Sequence, residues 1–231
     1  MVKKKRENMP EVASKRSKVY GLLTTVYREE PNPALLRQFK DARFRAALSS
    51  LGVDLEDKFF SLSEEELIED LAVEYARLFV GPGKHISPHE SVHLKNEEGG
   101  GLLWGEATAK VKKFIESAGF EYKSDYREIP DHIAVELEFM QGVTERECRA
   151  WNEKDDDGVF SCLETEKKFI EEHLVRWVPL FCEEIISYAE LPFYREMGKL
   201  TKRFIEFEKE EIGKYIDDLA RSRGEGPSNP G

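Results

Sequence analysis

The sequence predicts an all-α protein that folds as one multi-helix domain. Apolar residues recur at helical spacing through most of the chain, and no segment shows sustained alternation of apolar and polar residues. Helix start and stop residues divide this pattern into segments, which at a mean helix length near 11–12 residues gives roughly eight to ten helices. The 231 residues are 40% hydrophobic and 35% charged, a composition that excludes disordered and collagen-like chains.

The N-terminal third contains three predicted helices. The first covers residues 12–28, where the apolar positions repeat at helical spacing. Two prolines separate it from a second helix over residues 35–48. Ser63 and Glu66 have the spacing of a capping box, which predicts the start of a third helix whose apolar stripe ends at Phe79.

The middle of the chain contains a long segment without a clear period. It extends from Gly81 to about Leu103, and loops of this length in compact domains tend to be functional or disordered. Helical spacing returns over residues 104–119. Pro130 is expected to be the first residue of the following helix, because proline fits that position.

The C-terminal part is predicted to contain a loop and two more helical regions. Residues 155–158, three aspartates and a glycine, are expected to form the loop. A helix begins near Phe160, and Pro179 is expected to kink or break it. The last helix is predicted over residues 193–219.

Residues 1–223 are predicted to form one domain, with a basic arm at residues 1–10 and a disordered tail at 224–231. The first 18 residues hold seven basic and two acidic side chains, whereas the whole chain has a formal net charge of −11. An acidic chain is a poor match for nucleic acids and for anionic membrane surfaces. It suits a basic partner, such as a peptide that contains Arg or Lys.

The cysteines and the apolar runs indicate a cytoplasmic protein. Cys148, Cys162 and Cys182 include no CxxC pair, which argues against a disulfide framework and a closed zinc site. No apolar run approaches the ~18 residues of a membrane helix, so we expect no membrane insertion. The basic N-terminus is not followed by the apolar stretch of a secretory signal.

Two patterns are compatible with a metal-binding helical protein. Residues Glu153 to Glu164 place oxygen donors and a glycine at the spacing of a calcium loop, although a glutamate stands at the first position. His85, His89 and His93 recur every four residues, but Ser87 and Pro88 interrupt any helix there. Calcium or transition-metal binding at either place therefore stays an alternative function.

Asp131 and His132 form the one acid–base pair that the sequence suggests. An aspartate in the first turn of a helix complements the helix dipole, and a carboxylate beside histidine can orient a general base. No serine or cysteine nucleophile can be placed near them, so a hydrolase has no support from the sequence.

Several stretches, in this order, resemble the TorD/DmsD family of redox-enzyme maturation chaperones. They are EYARLFVGP at residues 74–82 followed by PHESV at 88–92, LWGE at 103–106, PDHIAVELEFM at 130–140 and HLVRWVPLF at 173–181. The resemblance covers roughly residues 65–190. It implies an all-helical, TorD-like fold without catalytic activity or a cofactor of its own.

The resemblance also implies a partner and a binding surface. Members of this family bind the twin-arginine leader of a molybdopterin oxidoreductase subunit in the cytoplasm and delay its export until the cofactor is inserted. The expected partners are thus that leader and its catalytic subunit, bound by a monomer or a homodimer. The peptide-binding residues carried over are Tyr75, Leu78, Phe79, Pro88, His89, Glu90, Ser91, Gly105, Asp131 and His132.

The chemistry of these side chains fits a twin-arginine leader. A guanidinium group prefers a bidentate carboxylate, which Glu90 or Asp131 can supply. The apolar part of a leader needs a hydrophobic groove, and Leu78 and Phe79 end a helix just before the long loop. Relatives often place an aromatic residue where this chain has His89.

Overall fold

The computed structural model describes residues 6–81, 85–94, 101, 103–121 and 129–223. The helices with bounds in these residues are α1 (Met9–Arg28), α2 (Pro33–Lys40), α3 (Ala42–Ser50), α4 (Glu56–Ser61), α5 (Glu64–Tyr75), α6 (Glu90–His93), α7 (Glu106–Ser117), α8 (Ile133–Glu153), α9 (Asp156–Phe169), α10 (Val175–Tyr188) and α11 (Pro192–Ser222). Two π-helical turns, π1 (Ala76–Val80) and π2 (Ile170–Leu174), follow α5 and join α9 to α10. The described residues contain no β-strand, which confirms the all-α prediction.

The long helices build the core. The most extensive contact is between α1 and α8; α8 also packs on α9, and α11 packs on both α9 and α10. Leu137 and Met140 on α8 are fully buried, as expected for core residues. No helix in the described part of the chain combines the length and the apolar character that crossing a membrane requires.

The second predicted helix is two helices. The structure ends α2 at Lys40 and begins α3 at Ala42. Asp41 stands between them in an extended conformation, and its carboxylate accepts hydrogen bonds from the backbone N–H groups of Arg43 and Phe44. The prediction of one helix over 35–48 was wrong because apolar spacing alone did not reveal this N-cap.

The capping box is confirmed. The Ser63 hydroxyl accepts from the backbone N–H of Glu66, and the Glu66 carboxylate accepts from the backbone N–H of Ser63. The helix that starts here continues past Tyr75 as π1, and Gly81 ends it by donating its N–H to the carbonyl of Ala76 at 2.6 Å. This segment carries Leu78 and Phe79.

Pro179 does not break its helix. The chain stays helical from α9 through π2 to the end of α10 at Tyr188, with Pro179 as the fifth residue of α10. A prolyl ring crowds the carbonyl four residues earlier. Here the π-helical turn changes the hydrogen-bond register just before that carbonyl, at Leu174. The expectation of a break at Pro179 was therefore wrong.

The aspartates at 155–158 begin a helix and do not form a loop. Asp155 is the N-cap of α9, and its carboxylate accepts the backbone N–H of Gly158 at 3.0 Å. Asp156 pairs with Arg6, and Asp157 pairs with Arg223. Acidic side chains are favourable in the first turn of a helix because they face its positive end. Both ends of the described chain thus meet at this turn.

One buried ionic cluster joins four helices. Arg16 on α1 is paired with Glu147 on α8, Glu166 on α9 and Glu208 on α11, and all four side chains are buried. The Tyr20 hydroxyl donates to Glu208 at 3.0 Å. We call these four charged residues the Arg16 cluster. It fixes the relative positions of the helices that form the core.

Candidate functional site

Two backbone segments from distant parts of the chain meet at the candidate site. The N–H of Ile133 donates to the carbonyl of Pro88 at 2.8 Å, and the N–H of Glu90 donates to the carbonyl of Asp131 at 3.0 Å. Between these bonds, the rings of His89 and His132 lie 5.0 Å apart, edge to face. Two of the stretches that carry the family resemblance therefore form one unit.

Asp131 holds the turn at Ser91 and does not lie inside a helix. Its Oδ2 atom accepts the backbone N–H of Ser91 at 2.8 Å, and its side chain is fully buried. Helix α8 begins at Ile133, so the prediction that Pro130 opens the helix was wrong. The cap comes instead from the imidazole of His132, whose Nδ1 accepts the backbone N–H of Ala134 at 3.1 Å.

The environment of His132 keeps its ring neutral. Burial, followed by the neighbouring His89 and Arg28, lowers the pKa of His132 to about 3. A neutral ring is what the cap requires, because only an unprotonated Nδ1 can accept a hydrogen bond. The Asp131 carboxylate is bonded to Ser91, and its other oxygen has no partner in the described residues. It therefore does not orient His132 as a general base.

A second layer of buried polar residues lies behind Glu90. The Nδ1 atom of His173 is 3.0 Å from Oε2 of Glu90, and the indole N–H of Trp177 donates to Glu136 at 3.1 Å. Burial, and then the nearby Glu90, raises the pKa of Glu136 well above its ordinary value. We call Glu90, Asp131 and Glu136 the site carboxylates.

Sequence reasoning did not place Glu136, His173 or Trp177 at the site. Glu136 follows His132 by one helical turn, and His173 precedes Trp177 by four residues, so each spacing puts two polar groups on one helix face. That spacing was the available indication. Their meeting with Glu90 depends on how α8, π2 and α10 pack.

Several buried polar oxygen atoms at the site have no hydrogen-bond partner among the described residues. They are Oδ1 of Asp131, Oε1 of Glu136 and Oγ of Ser91. A buried polar atom without a partner costs free energy, about 1–3 kcal/mol for a neutral group. Such atoms therefore favour an arriving hydrogen-bond donor.

The apolar side of the site comes from π1. The ring centroids of Phe79 and Phe181 of α10 lie 6.1 Å apart, and those of Phe181 and His93 lie 5.9 Å apart. Leu78 is buried, and its carbonyl accepts the N–H of Ile86 at 2.7 Å. These contacts place the end of π1 beside the segment that carries Pro88 to Ser91.

Tyr75 and Gly105 lie at the margins of this arrangement. The Tyr75 hydroxyl donates to the carbonyl of Tyr27 in the core at 3.2 Å, and its ring contacts Phe79. Gly105 is the N-cap of α7. Before it stands Trp104, whose side chain is 69% exposed. Of the ten carried-over residues, His89 and Gly105 are partly exposed and the others are buried.

The described residues do not form either predicted metal site. No three His, Cys, Asp or Glu side chains of the described ranges converge as a metal ion requires. Glu153 ends α8 and Glu164 lies within α9, so the calcium-loop interpretation fails because the segment is mostly helical. Of the loop histidines, His93 bonds the carbonyl of Ser87, whereas His89 packs on His132.

Comparison with known proteins identifies the family. Residues 55–183 match the family model described as nitrate reductase delta subunit, which is more than half of the chain. The chain belongs to this family. The TorD-like family recognised from the sequence motifs is thereby confirmed, since curated relatives are named TorD chaperones.

Two curated relatives from Vibrio species are similar to this chain along most of their length. The chain is 25% identical to the chaperone protein TorD of Vibrio vulnificus, a similarity that covers 82% of this chain and 91% of the relative. It is 22% identical to the TorD protein of Vibrio cholerae, a similarity that covers 88% of this chain and 94% of the relative. These relatives are named as chaperones and not as enzymes.

A solved structure shows the same fold. A putative redox enzyme maturation protein from Archaeoglobus fulgidus superposes with a TM-score of 0.54 at 20% identity. The similarity covers 83% of this chain and 93% of the other. Together with the helices described above, it confirms the TorD-like, all-α fold class.

Proposed function

We propose that this protein is a cytoplasmic chaperone without catalytic activity that assists the maturation of a molybdopterin oxidoreductase. It binds the twin-arginine leader of the catalytic subunit before export. One observation carries the proposal: the family match over residues 55–183 contains all ten carried-over residues, and the relatives in that family are named TorD chaperones.

Three exposed apolar side chains that neighbour residues of the site in the sequence suit the apolar part of a leader. Val80 follows the buried Phe79, Leu180 precedes the buried Phe181, and Trp104 precedes Gly105. These three side chains are 66%, 55% and 69% exposed, respectively. Each is therefore available to a peptide on an element that also builds the site.

The site carboxylates suit the guanidinium groups of the leader. Glu90 and Asp131 are 1% and 0% exposed, and Asp131 and Glu136 each keep one acceptor oxygen without a partner in the described residues. A guanidinium donates several hydrogen bonds in a planar fork, which matches such oxygens. A direct contact requires that the segment of residues 86–94 moves aside, which costs part of the binding energy.

Calorimetric titration with a twin-arginine leader peptide tests this function. We expect micromolar or tighter binding, and weaker binding of the same peptide with lysine in place of both arginines, because lysine lacks the planar fork. Trp104→Ala should weaken binding roughly tenfold through lost apolar contact. Phe207→Ala is the matched control, since Phe207 is a half-exposed aromatic residue on α11.

Asp131→Ala separates the site from the rest of the surface. Loss of leader binding with an unchanged circular dichroism spectrum supports the site. Unchanged affinity in this variant would remove Asp131 from it. If no twin-arginine leader binds the unmodified protein, the proposed function itself fails.

A further inference from the structure

A groove with basic walls lies between α7 and the helical segment formed by α9, π2 and α10. Its volume is about 630 Å³. Four cationic side chains line it, against two carboxylates from Glu171 and Glu172. This balance is the reverse of the whole chain, whose formal net charge is −11.

The cations form two rows that face each other. Lys110 and Lys113 lie on one face of α7, three residues apart, and Lys168 and Arg176 lie eight residues apart on the other wall. At 1.5 Å per helical residue, the longer row covers about 12 Å. That length corresponds to roughly three or four residues of extended peptide.

The floor of the groove is aromatic. Phe114 and His173 line it, and their ring centroids are 5.7 Å apart. The ammonium group of Lys168 lies 5.7 Å from the centroid of the Phe114 ring. The groove therefore combines an apolar floor with cationic walls.

The ion pairs at the walls are weak and exchangeable. Lys110 is paired with Glu106 at 2.8 Å, and Lys168 is 3.9 Å from Glu172, both at exposed positions. Lys113 makes no ion pair with any residue that the structure describes. An acidic partner can thus engage these lysines without separating a buried pair.

We propose that this groove docks an acidic, extended segment of a partner protein. The two cationic rows match carboxylates on opposite sides of an extended chain, whose side chains alternate in direction. The cavity is much larger than a single small anion needs. Its wall includes π2, and π-helical turns occur frequently at functional sites.

The groove is joined to the candidate site through His173. This ring lines the groove, and its Nδ1 atom lies 3.0 Å from Glu90. The proposal does not depend on leader binding, because Lys113 and Lys168 are not among the carried-over site residues. It gives the protein a second docking surface of opposite charge.

Titration calorimetry with a short acetylated peptide of consecutive aspartates tests the proposal, because neighbouring side chains of an extended chain lie on opposite sides. The same peptide with asparagine in place of aspartate is the ligand control. We expect Lys113→Glu and Lys168→Glu each to weaken binding about fivefold to tenfold, in variants whose circular dichroism spectrum is unchanged. Lys112→Glu, at an exposed neighbour that does not line the groove, should change affinity less than about twofold.

Three outcomes would overturn the proposal. The first is the absence of binding by the acidic peptide at low ionic strength, where screening is weakest. The second is an equal loss of affinity in Lys112→Glu, which would indicate diffuse attraction over the surface. The third is binding of inorganic pyrophosphate that Lys113→Glu abolishes while the acidic peptide does not bind, which would indicate a small-anion site.

Discussion

Two groups of buried carboxylates in this protein differ in what surrounds them. In the Arg16 cluster, three glutamates enclose one guanidinium group. The three site carboxylates have no guanidinium among the described residues, and Glu90 is bonded to the ring of His173. The first arrangement pairs its carboxylates with a guanidinium group inside the core, whereas the second leaves one oxygen each of Asp131 and Glu136 without a partner among the described residues. The Arg16 cluster thus illustrates how this chain holds a buried arginine.

Removing the guanidinium of the Arg16 cluster should have the largest effect on stability. Arg16→Leu leaves Glu147, Glu166 and Glu208 buried without a counter-charge, so we expect the free energy of unfolding to fall by about 3–5 kcal/mol. Urea denaturation followed by circular dichroism measures this free energy of unfolding. The matched control is Arg37→Leu, at an exposed pair with Glu64, which should cost less than about 1 kcal/mol. Equal effects in both variants would show that the cluster contributes little.

Replacing Glu136 by glutamine should change the free energy of unfolding less than Arg16→Leu does. At high pH this change should be stabilising. Burial raises the pKa of Glu136 above its unfolded value, so its contribution to stability is fully present below pH 4.5 and is lost as the pH rises through the folded pKa. Glu136→Gln removes this loss. Between pH 5 and pH 8, we therefore expect the variant to lose less stability than the unmodified protein.

Parallel urea titrations of both proteins at the two pH values measure that difference. Glu138→Gln, at a neighbouring half-exposed glutamate of α8, is the control. If the free energy of unfolding changed with pH equally in Glu136→Gln and in the unmodified protein, the assignment of a raised pKa to Glu136 would be contradicted.

The cap at the start of α8 should have the smallest effect. His132→Ala removes the acceptor for the N–H of Ala134 and should lower the free energy of unfolding by about 1 kcal/mol at pH 7. His132→Asn keeps an N-cap acceptor and should therefore retain most of the stability that His132→Ala loses. Thermal unfolding of both variants is the measurement, and an equally large loss in both would argue against capping.

The pH dependence of His132 has the opposite sign to that of Glu136. The folded pKa of about 3 is below the ordinary value of 6.5, so the stability contributed by the neutral ring is lost as the pH falls from 6.5 towards 3. The His132→Asn variant should therefore lose less stability than the unmodified protein between pH 7 and pH 5.

The sequence was sufficient for features that depend on local pattern. Helical spacing predicted α1 and α11, and the Ser63–Glu66 capping box predicted where α5 begins. It was insufficient where a side chain acts on a distant segment. Asp131 bonds the turn at Ser91 and leaves the cap to His132, so the start of α8 moved by three residues.

The candidate site shows the same limit. The family resemblance placed the segments 88–91 and 131–132 in one binding surface. The backbone hydrogen bonds between these two segments agree with that grouping. Glu136 and His173 were not identified, since their contact with Glu90 requires three helical elements to pack. The exposure of Trp104 likewise depends on how α7 sits against the rest of the protein.

The pairing of both chain ends with one turn has a consequence for engineering. Arg6 and Arg223 bind the adjacent Asp156 and Asp157, and Arg6 also donates to Ser222 at 3.3 Å. Residues 6 and 223 are therefore close enough for a short glycine–serine linker to join them. A circular permutant opened at another exposed connection between helices would show whether the arrangement of the helices in space depends on their order along the chain.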